Sequence, residues 1–383
     1  MAEDGASDRR SDPAPTPAAD GETGAEAVTR LAFDIIICTR NRPEALALSI
    51  PLMLTQSRLP KRLIVIDSSD DHAPTAATVA RAIQGFTGEV IVEHSPKGLT
   101  LQRNIGIRHL RSEVALLPDD DALFHPGTSA ALLDVYERDP ERRIAAVCAA
   151  DADLPPPGVL STAAYDMNAT QKRQKRLGRL RRWLEETTND LNPFLYMGRV
   201  LIARAAGSEQ LAEEIAPQNC VLVESMSGYR MSFRTETLHA IGGFEETFSG
   251  YSWFEDTDAS FAAWRVGAVV GARDARIYHH KFPGARGDAY ALGAMSLTNR
   301  AFVIAKHVAD GHFSTEEAQE AKRMMRGFAR FKALSALAGA GNASGRAHLR
   351  GALAAWRLLG TVLDSPRDRL VENYRASQAR LGG

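Results

Sequence analysis

A chain of 383 residues, 44% of them hydrophobic, can bury one large core or two smaller ones, and its Lys plus Arg (46) almost balance its Asp plus Glu (47). That balance removes the broad positive field on which non-specific nucleic-acid binding rests, so no nucleic-acid partner is expected and a charged partner must be met by a local patch. Three cysteines, Cys38, Cys148 and Cys220, lie far apart with no paired spacing, which argues against a zinc site or disulfide framework and fits a reducing, cytoplasmic setting.

Residues 1–30, rich in Ala, Asp, Glu, Gly and Pro, lack the apolar core of a secretory signal and read as a disordered leader. A buried strand is then expected, because the run Ile35, Ile36, Ile37 and Cys38 ends abruptly in the polar loop Thr39, Arg40, Asn41, Arg42 and Pro43. Helical spacing from Pro43 to Gln56 leads to a second strand, Leu63 to Ile66, which stops at Asp67, Ser68 and Ser69. A helix from Pro74 to Gln84, a strand from Glu89 to Glu93, a helix around Arg103 to Leu110 and a strand from Val114 to Leu117 continue the alternation. This pattern predicts an α/β fold with a mainly parallel central sheet and helices on both faces. Ligands of such sheets gather beyond the carboxyl ends of the strands, and those ends carry Thr39 to Arg42, Asp67 and the acidic run Asp119, Asp120 and Asp121.

After Cys148 the pattern loosens. Pro155 to Pro157 interrupt the chain, and Gln171 to Trp183 collects Lys172, Arg173, Lys175, Arg176, Arg179, Arg181 and Arg182 with Leu177 and Leu180 interleaved. A solvated helix face accounts for such a run; so does contact with an anionic lipid surface, which would hold the protein peripherally on the inner face of the cell membrane. Strands are expected at Val221 to Val223, near Tyr229 to Phe233 and at Ala275 to Tyr278, and from Ser314 the sequence is helical, Ala-rich and basic, broken at Gly339 to Gly345. No segment reaches the roughly 20 apolar residues needed to cross a bilayer. The expected division is a leader at 1–30, an α/β domain at 31–285 with an insertion and basic helix at 150–200, and a helical C-terminal region at 286–383.

Two acidic groups can carry chemistry. Adjacent carboxylates such as Asp119 to Asp121 repel one another unless a cation offsets them, and Mg²⁺ is usually shared between one or two carboxylates and substrate phosphates. A solvated acidic turn has the same composition, but Leu116, Leu117 and Pro118 set this run at the end of a buried strand. In Glu255, Asp256 and Asp258 a carboxylate could accept the proton of an attacking hydroxyl; charge favouring a helix N-terminus is the other explanation. His279 and His280 close the last strand and could join a metal shell or serve structure alone, and Trp253 could stack on a ligand ring or pack internally.

The order of these segments resembles the family 2 glycosyltransferases, inverting enzymes with the nucleotide-sugar-binding GT-A fold. Cys38 to Pro43 resembles the first strand-end motif of that family, Ile66 to Asp71 the second, and Gly98, Arg103, Asn104 and Gly106 the segment before the metal motif. Leu117 to Asp121 resembles the DxD segment, and Ile241 to Glu245 with Glu255, Asp256, Asp258 and Gly267 the acceptor-side and catalytic segment. Two positions depart from the pattern: Ser68, where an acidic or amide residue is common, and Ala262, where an Arg commonly follows the acidic group, with Arg265 one turn further on.

The resemblance implies a nucleoside-diphosphate-sugar donor, a glycan or lipid-linked acceptor and a Mg²⁺ or Mn²⁺ ion. It assigns Asp119, Asp121 and His279 to the metal, and Thr39, Arg40, Asn41, Arg42, Asp67, Arg103, Asn104, Asp119 and Asp120 to the donor. Asp256 is then the catalytic base with Glu255 as its rival, and Trp253 and Asp258 face the acceptor. A sugar-phosphate nucleotidyltransferase would share the sheet and metal but needs a Gly-rich phosphate loop, and Thr39 to Pro43 holds no glycine. The reading outside catalysis is a nucleotide-binding scaffold in glycan assembly.

Overall fold

The computed structural model describes residues 30–159, 190–248, 252–282, 288–338 and 341–382. The expected leader, apart from Arg30, and the basic segment Gln171 to Trp183 lie outside the described residues.

Four parallel strands form the first half of the sheet: β1 (Phe33–Thr39), β2 (Arg62–Asp67), β3 (Glu89–His94) and β4 (Val114–Leu117). Between them run α1 (Pro43–Leu54), α2 (Ala73–Ala82) and α3 (Leu99–Arg108). Ile35, Ile36, Ile37, Leu63, Ile64 and Val65 are all buried, as expected of strands covered on both faces. Register puts the strand ends level: Thr39 pairs with Asp67, and an isolated parallel bridge joins Cys38 to Asp119. Three loops of distant sequence therefore open on one edge.

Beyond β4 the sheet is mixed. It continues through β5 (Ala122–Phe124), β6 (Ile144–Asp151), β7 (Cys220–Leu222), β8 (Met231–Arg234) and β9 (Ala268–His279), in the order β3-β2-β1-β4-β8-β6-β9-β5 with β7 on β9. β8 inserts antiparallel between β4 and β6, and β5 and β7 run antiparallel to β9. β6 and β9 pair in parallel and run in the direction of β1 to β4, so the expected mainly parallel sheet holds, with β5, β7 and β8 reversed within it. β5 has three residues, and β6 is Ala-rich with weak strand propensity, so neither announces itself by composition.

The remaining helices are α4 (Thr128–Glu137), α5 (Pro193–Arg204), α6 (Ser208–Ile215), α7 (Thr235–Ala240), α8 (Glu255–Ala263), α9 (Ala289–Ala309), α10 (Thr315–Ala338), α11 (Ala343–Leu363) and α12 (Leu370–Arg380). α9 is buried over most of its length, and its backbone approaches α11 so closely that Gly293 faces the His348 carbonyl and Gly351 the Tyr290 carbonyl. Among the described residues no helix is long and apolar enough to cross a membrane.

Candidate active site

The ends of β1 and β2 are clamped together. Arg40 donates to the Ser68 carbonyl (2.6 Å) and to Asp70 (2.7 Å), while the Asn41 side chain donates to Asp70 (2.7 Å) and accepts from its amide (2.9 Å). Asn41 has φ of 52°, a left-handed conformation that Asn tolerates better than most residues. Hydrogen bonds from Asn41, ahead of the charge of Arg40, hold the exposed Asp70 carboxyl below its usual range. Asp67, expected on the nucleoside, is fully buried: its Oδ1 accepts from the Ser69 amide and hydroxyl and its Oδ2 meets His72 Nδ1 at 2.7 Å. It braces the loop from within.

The acidic run divides by direction. Asp120 is fully buried, accepts from the Thr39 hydroxyl at 2.7 Å and pairs with Arg42 at 2.5 Å; burial, against the attraction of Arg42, pushes its carboxyl up to about 7. Thr39 and Asp120, both expected at the donor, are consumed in this interior contact. Asp119 and Asp121 lie with His279 so that one ligand atom from each falls within 4.8 Å of the others. The antiparallel pair β5–β9 produces this meeting, since Ala122 is opposite His279 and the His280 amide donates to the Asp121 carbonyl. His279 stacks on Tyr229 (4.3 Å between centroids, 15°), whereas the His280 ring lies near Tyr278 and Phe282 and is outside the cluster.

Burial opposes ionisation of Asp121, but His279, Arg42 and the Phe282 amide outweigh it and hold the carboxyl below its usual range. Buried Asp121 Oδ1 makes no hydrogen bond and has His279 Nε2 3.3 Å away. Donors around a small octahedral cation at about 2.1 Å sit roughly 3 Å apart when cis and about 4.2 Å when trans. Two carboxylates, one of them with an unsatisfied oxygen, and one imidazole at these separations fit a divalent ion after small side-chain adjustment.

Arg103 and Asn104 join this edge to residues far downstream. Arg103 is buried and donates to Glu255 (2.7 Å), Asp119 (3.3 Å) and the Gly228 carbonyl (3.3 Å), with Phe244 5.0 Å beneath it. Asn104 forms a reciprocal pair with the Phe244 backbone at 2.8 Å each way and donates to Glu246. The resemblance assigns both residues to the donor; in the structure they connect the acidic run to the segment preceding α8.

Glu255 and Asp256 open α8. Burial, and then the adjacent Asp256 charge, push Glu255 up to about 8 despite Arg103. Burial also raises Asp256, opposed by the Thr257 and Gly228 amides, which donate to its two oxygens at 2.7 and 2.9 Å. The turn before them is strained, with Ser252 at φ 52° and Phe254 at φ 79°, each a conformation costing on the order of 1–3 kcal/mol. Trp253 between them is 37% exposed and stacks on Phe254.

Asp258, expected at the acceptor, points the other way: it is buried and pairs with Lys306 (2.7 Å) and His307 (2.9 Å) of α9, which use both its oxygens. Arg265 donates to the Ala262 carbonyl and meets His312, so it does not stand in for an arginine at the site. Gly228, Tyr229 and Phe282 were not legible as site residues. They carry no motif and arrive through the placement of β8 and the end of β9.

Residues 34–192 match the family model described as glycosyl transferase family 2. That span covers the strand-end loops and the acidic run and stops before Glu255, Asp256 and His279. Among solved structures, the mannosyltransferase PcManGT from Pyrobaculum calidifontis in complex with GDP-Man and Mn²⁺ is similar at 17% identity and TM-score 0.51, over 92% of this chain and 87% of that one. TarS 1-349 of S. aureus is similar at 14% identity and TM-score 0.46 over 92% of both chains. No curated protein sequence matches the chain significantly. The mixed sheet, its strand-end site and the first of these likenesses define the GT-A fold of the glycosyltransferases. The likeness to glycosyl transferase family 2 is that of the segment 34–192, under half of the chain.

Proposed function

We propose that this protein transfers a sugar, a hexosyl or related unit, from a nucleoside-diphosphate-sugar donor to a hydroxyl of a glycan or lipid-linked acceptor, with inversion, in the making of a surface polysaccharide or glycolipid. The observation that carries the reading is the convergence of Asp119, Asp121 and His279 at one end of Arg103, with Glu255 and Asp256 at the other. Asp119, Asp121 and His279 would hold Mg²⁺ or Mn²⁺, which when bound offsets the charge that develops on the departing diphosphate. A lipid-linked acceptor would bring the cytoplasmic enzyme to the inner face of the membrane.

The chain's own groups divide the remaining work. Arg40, Asn41 and Asp70 form the exposed rim toward the nucleoside, with Asp67 bracing it from below and Asp120 fixing Arg42. Burial raises Asp256 as well, but two backbone amides aimed at its oxygens oppose that rise, whereas Glu255, pushed up to about 8, keeps its proton at neutral pH. Asp256 is therefore the base that takes the acceptor proton, and Glu255 holds Arg103. Trp253 offers an exposed ring face for the acceptor sugar. The five-residue loop Thr39 to Pro43 without glycine disfavours a nucleotidyltransferase, and the intact acid pair disfavours a scaffold.

The test is a screen of common GDP- and UDP-sugars with sugar and lipid-phosphate acceptors, in Mn²⁺, in Mg²⁺ and in chelator. Nucleoside diphosphate should appear only with a metal and an acceptor, and Asp256→Asn should abolish turnover while leaving nucleotide binding intact. Turnover that persists in chelator, or none across the screen, defeats the proposal.

A further inference from the structure

The turn Ser252–Phe254 that delivers Glu255 and Asp256 is held chiefly from outside the sheet. Asn299 of α9, fully buried, donates through Nδ2 to the Trp253 carbonyl at 3.0 Å. Its Oδ1 accepts from the Tyr374 hydroxyl at 2.7 Å and from Gln378 at 3.3 Å, both on α12. A carbonyl can only accept, so the amide must turn Nδ2 toward Trp253, and the donors of α12 on the other side fix the same orientation. The next residue, Arg300, places its guanidinium 4.3 Å from the Phe254 ring, 4.3 Å from Phe194 and 4.5 Å from Phe328. It is anchored by Asn192 at 3.0 Å. Phe254 is thus sandwiched between a cation on one face and Trp253, 5.2 Å away and nearly parallel, on the other. One turn into α8, Lys306 and His307 of α9 grip Asp258.

We propose that the C-terminal helices are part of the acceptor-side machinery, with Asn299, oriented by Tyr374, and Arg300 acting as positioning residues that hold the turn Ser252–Phe254, in which Ser252 and Phe254 are left-handed. Neither touches a reacting atom. Left alone, Ser252 and Phe254 would relax toward negative φ, and because Glu255 and Asp256 are the first residues of α8, that relaxation would swing both carboxylates relative to Gly228 and Arg103. The donor edge lies on β1, β2, β4 and β9 and makes no contact with Asn299 among those described, so the two halves should respond differently. The proposal rests on the transferase reading for its functional consequence, and its structural part stands apart from that reading.

Tyr374→Phe, which removes one hydroxyl, and Asn299→Leu, which removes the amide at similar volume, test it in the full-length protein. Amide hydrogen exchange over residues 252–258 reads the turn directly, since the Glu255 amide donates to Ser252 and the Asp258 amide to Phe254. Both variants should exchange there at least tenfold faster, while peptides over 119–124 and 277–282 and the core strand β1 stay at wild-type rates. Affinity for Mn²⁺ with GDP or UDP, measured by calorimetry, should stay within twofold, and turnover of the donor found by the screen should fall at least tenfold in kcat. Unchanged exchange over 252–258 overturns the proposal, and so does faster exchange spread over the whole chain, which would mean ordinary loss of stability. If no donor turns over, the transferase reading has failed while the exchange result still decides whether α9 and α12 hold the turn.

Discussion

Arg103→Met keeps most of the side-chain volume and removes the charge that lies between Glu255 and Asp119. Its cost should depend on pH. Glu255 is raised to about 8 in the folded protein, above an unfolded value near 4.5, so its contribution to stability is fully present below about 4.5 and is lost as pH rises through 8. At pH 6 the carboxyl is protonated with or without Arg103, and the substitution forfeits hydrogen bonds to Glu255 and the Gly228 carbonyl, about 1–2 kcal/mol. At pH 9 the wild-type carboxylate has ionised against Arg103. The variant must either leave a buried charge unpaired, which costs roughly 3–5 kcal/mol, or hold a proton against a rising pH. Urea denaturation of both proteins at pH 6 and pH 9 measures the difference, which should widen by on the order of 2 kcal/mol at the higher pH. An equal or smaller difference at pH 9 would show that Arg103 does not stabilise an ionised Glu255 and would undo the division of roles between Glu255 and Asp256.

Gly293→Ala drives a methyl into the His348 carbonyl where α9 crosses α11, so the helices must part; thermal unfolding should show a loss of about 1–3 kcal/mol, and an unchanged melting temperature would refute the close crossing. Asp258→Asn breaks a buried pair with Lys306 and His307 and should cost roughly 3–5 kcal/mol at pH 7 in denaturant titration. Burial opposes the Asp258 charge, but Lys306 and His307 prevail and lower its carboxyl to about 2, so this stabilisation is present above about 3.8 and is lost as pH falls through 2. The gap between wild type and variant should therefore close in acid, and a gap independent of pH would place the stabilisation elsewhere.

The halves of the site differed in legibility. Strand ends at Thr39, Asp67 and Asp119 could be read because branched apolar runs stop there abruptly, and the same runs predicted the parallel half of the sheet. A strand near Tyr229 to Phe233 was expected, but its antiparallel entry between β4 and β6 could not be read, since four residues with one Met and one Phe carry no sign of strand direction. Arg103 and Asn104 stood out as a motif, but their partners lie 140 and 152 residues away, and only packing of α3 against the segment before α8 decides that they join two halves of a site.

By itself the sequence determined which kinds of groups the protein can bring to bear: an acidic run at a strand end, an acid pair opening a helix and a histidine closing the last strand, in an order that resembles the family 2 glycosyltransferases. The tertiary structure decided which way each one faces. The acidic run is a turn closed by the Ala122 amide on the Asp119 carbonyl, in which Asp120 faces Thr39 and Arg42 while Asp119 and Asp121 face His279, and the β5–β9 register selects His279 over His280. Three residues into α8, Asp258 is committed to α9 and not to the site, because a helix distributes its side chains around an axis whose surroundings are set by other parts of the chain.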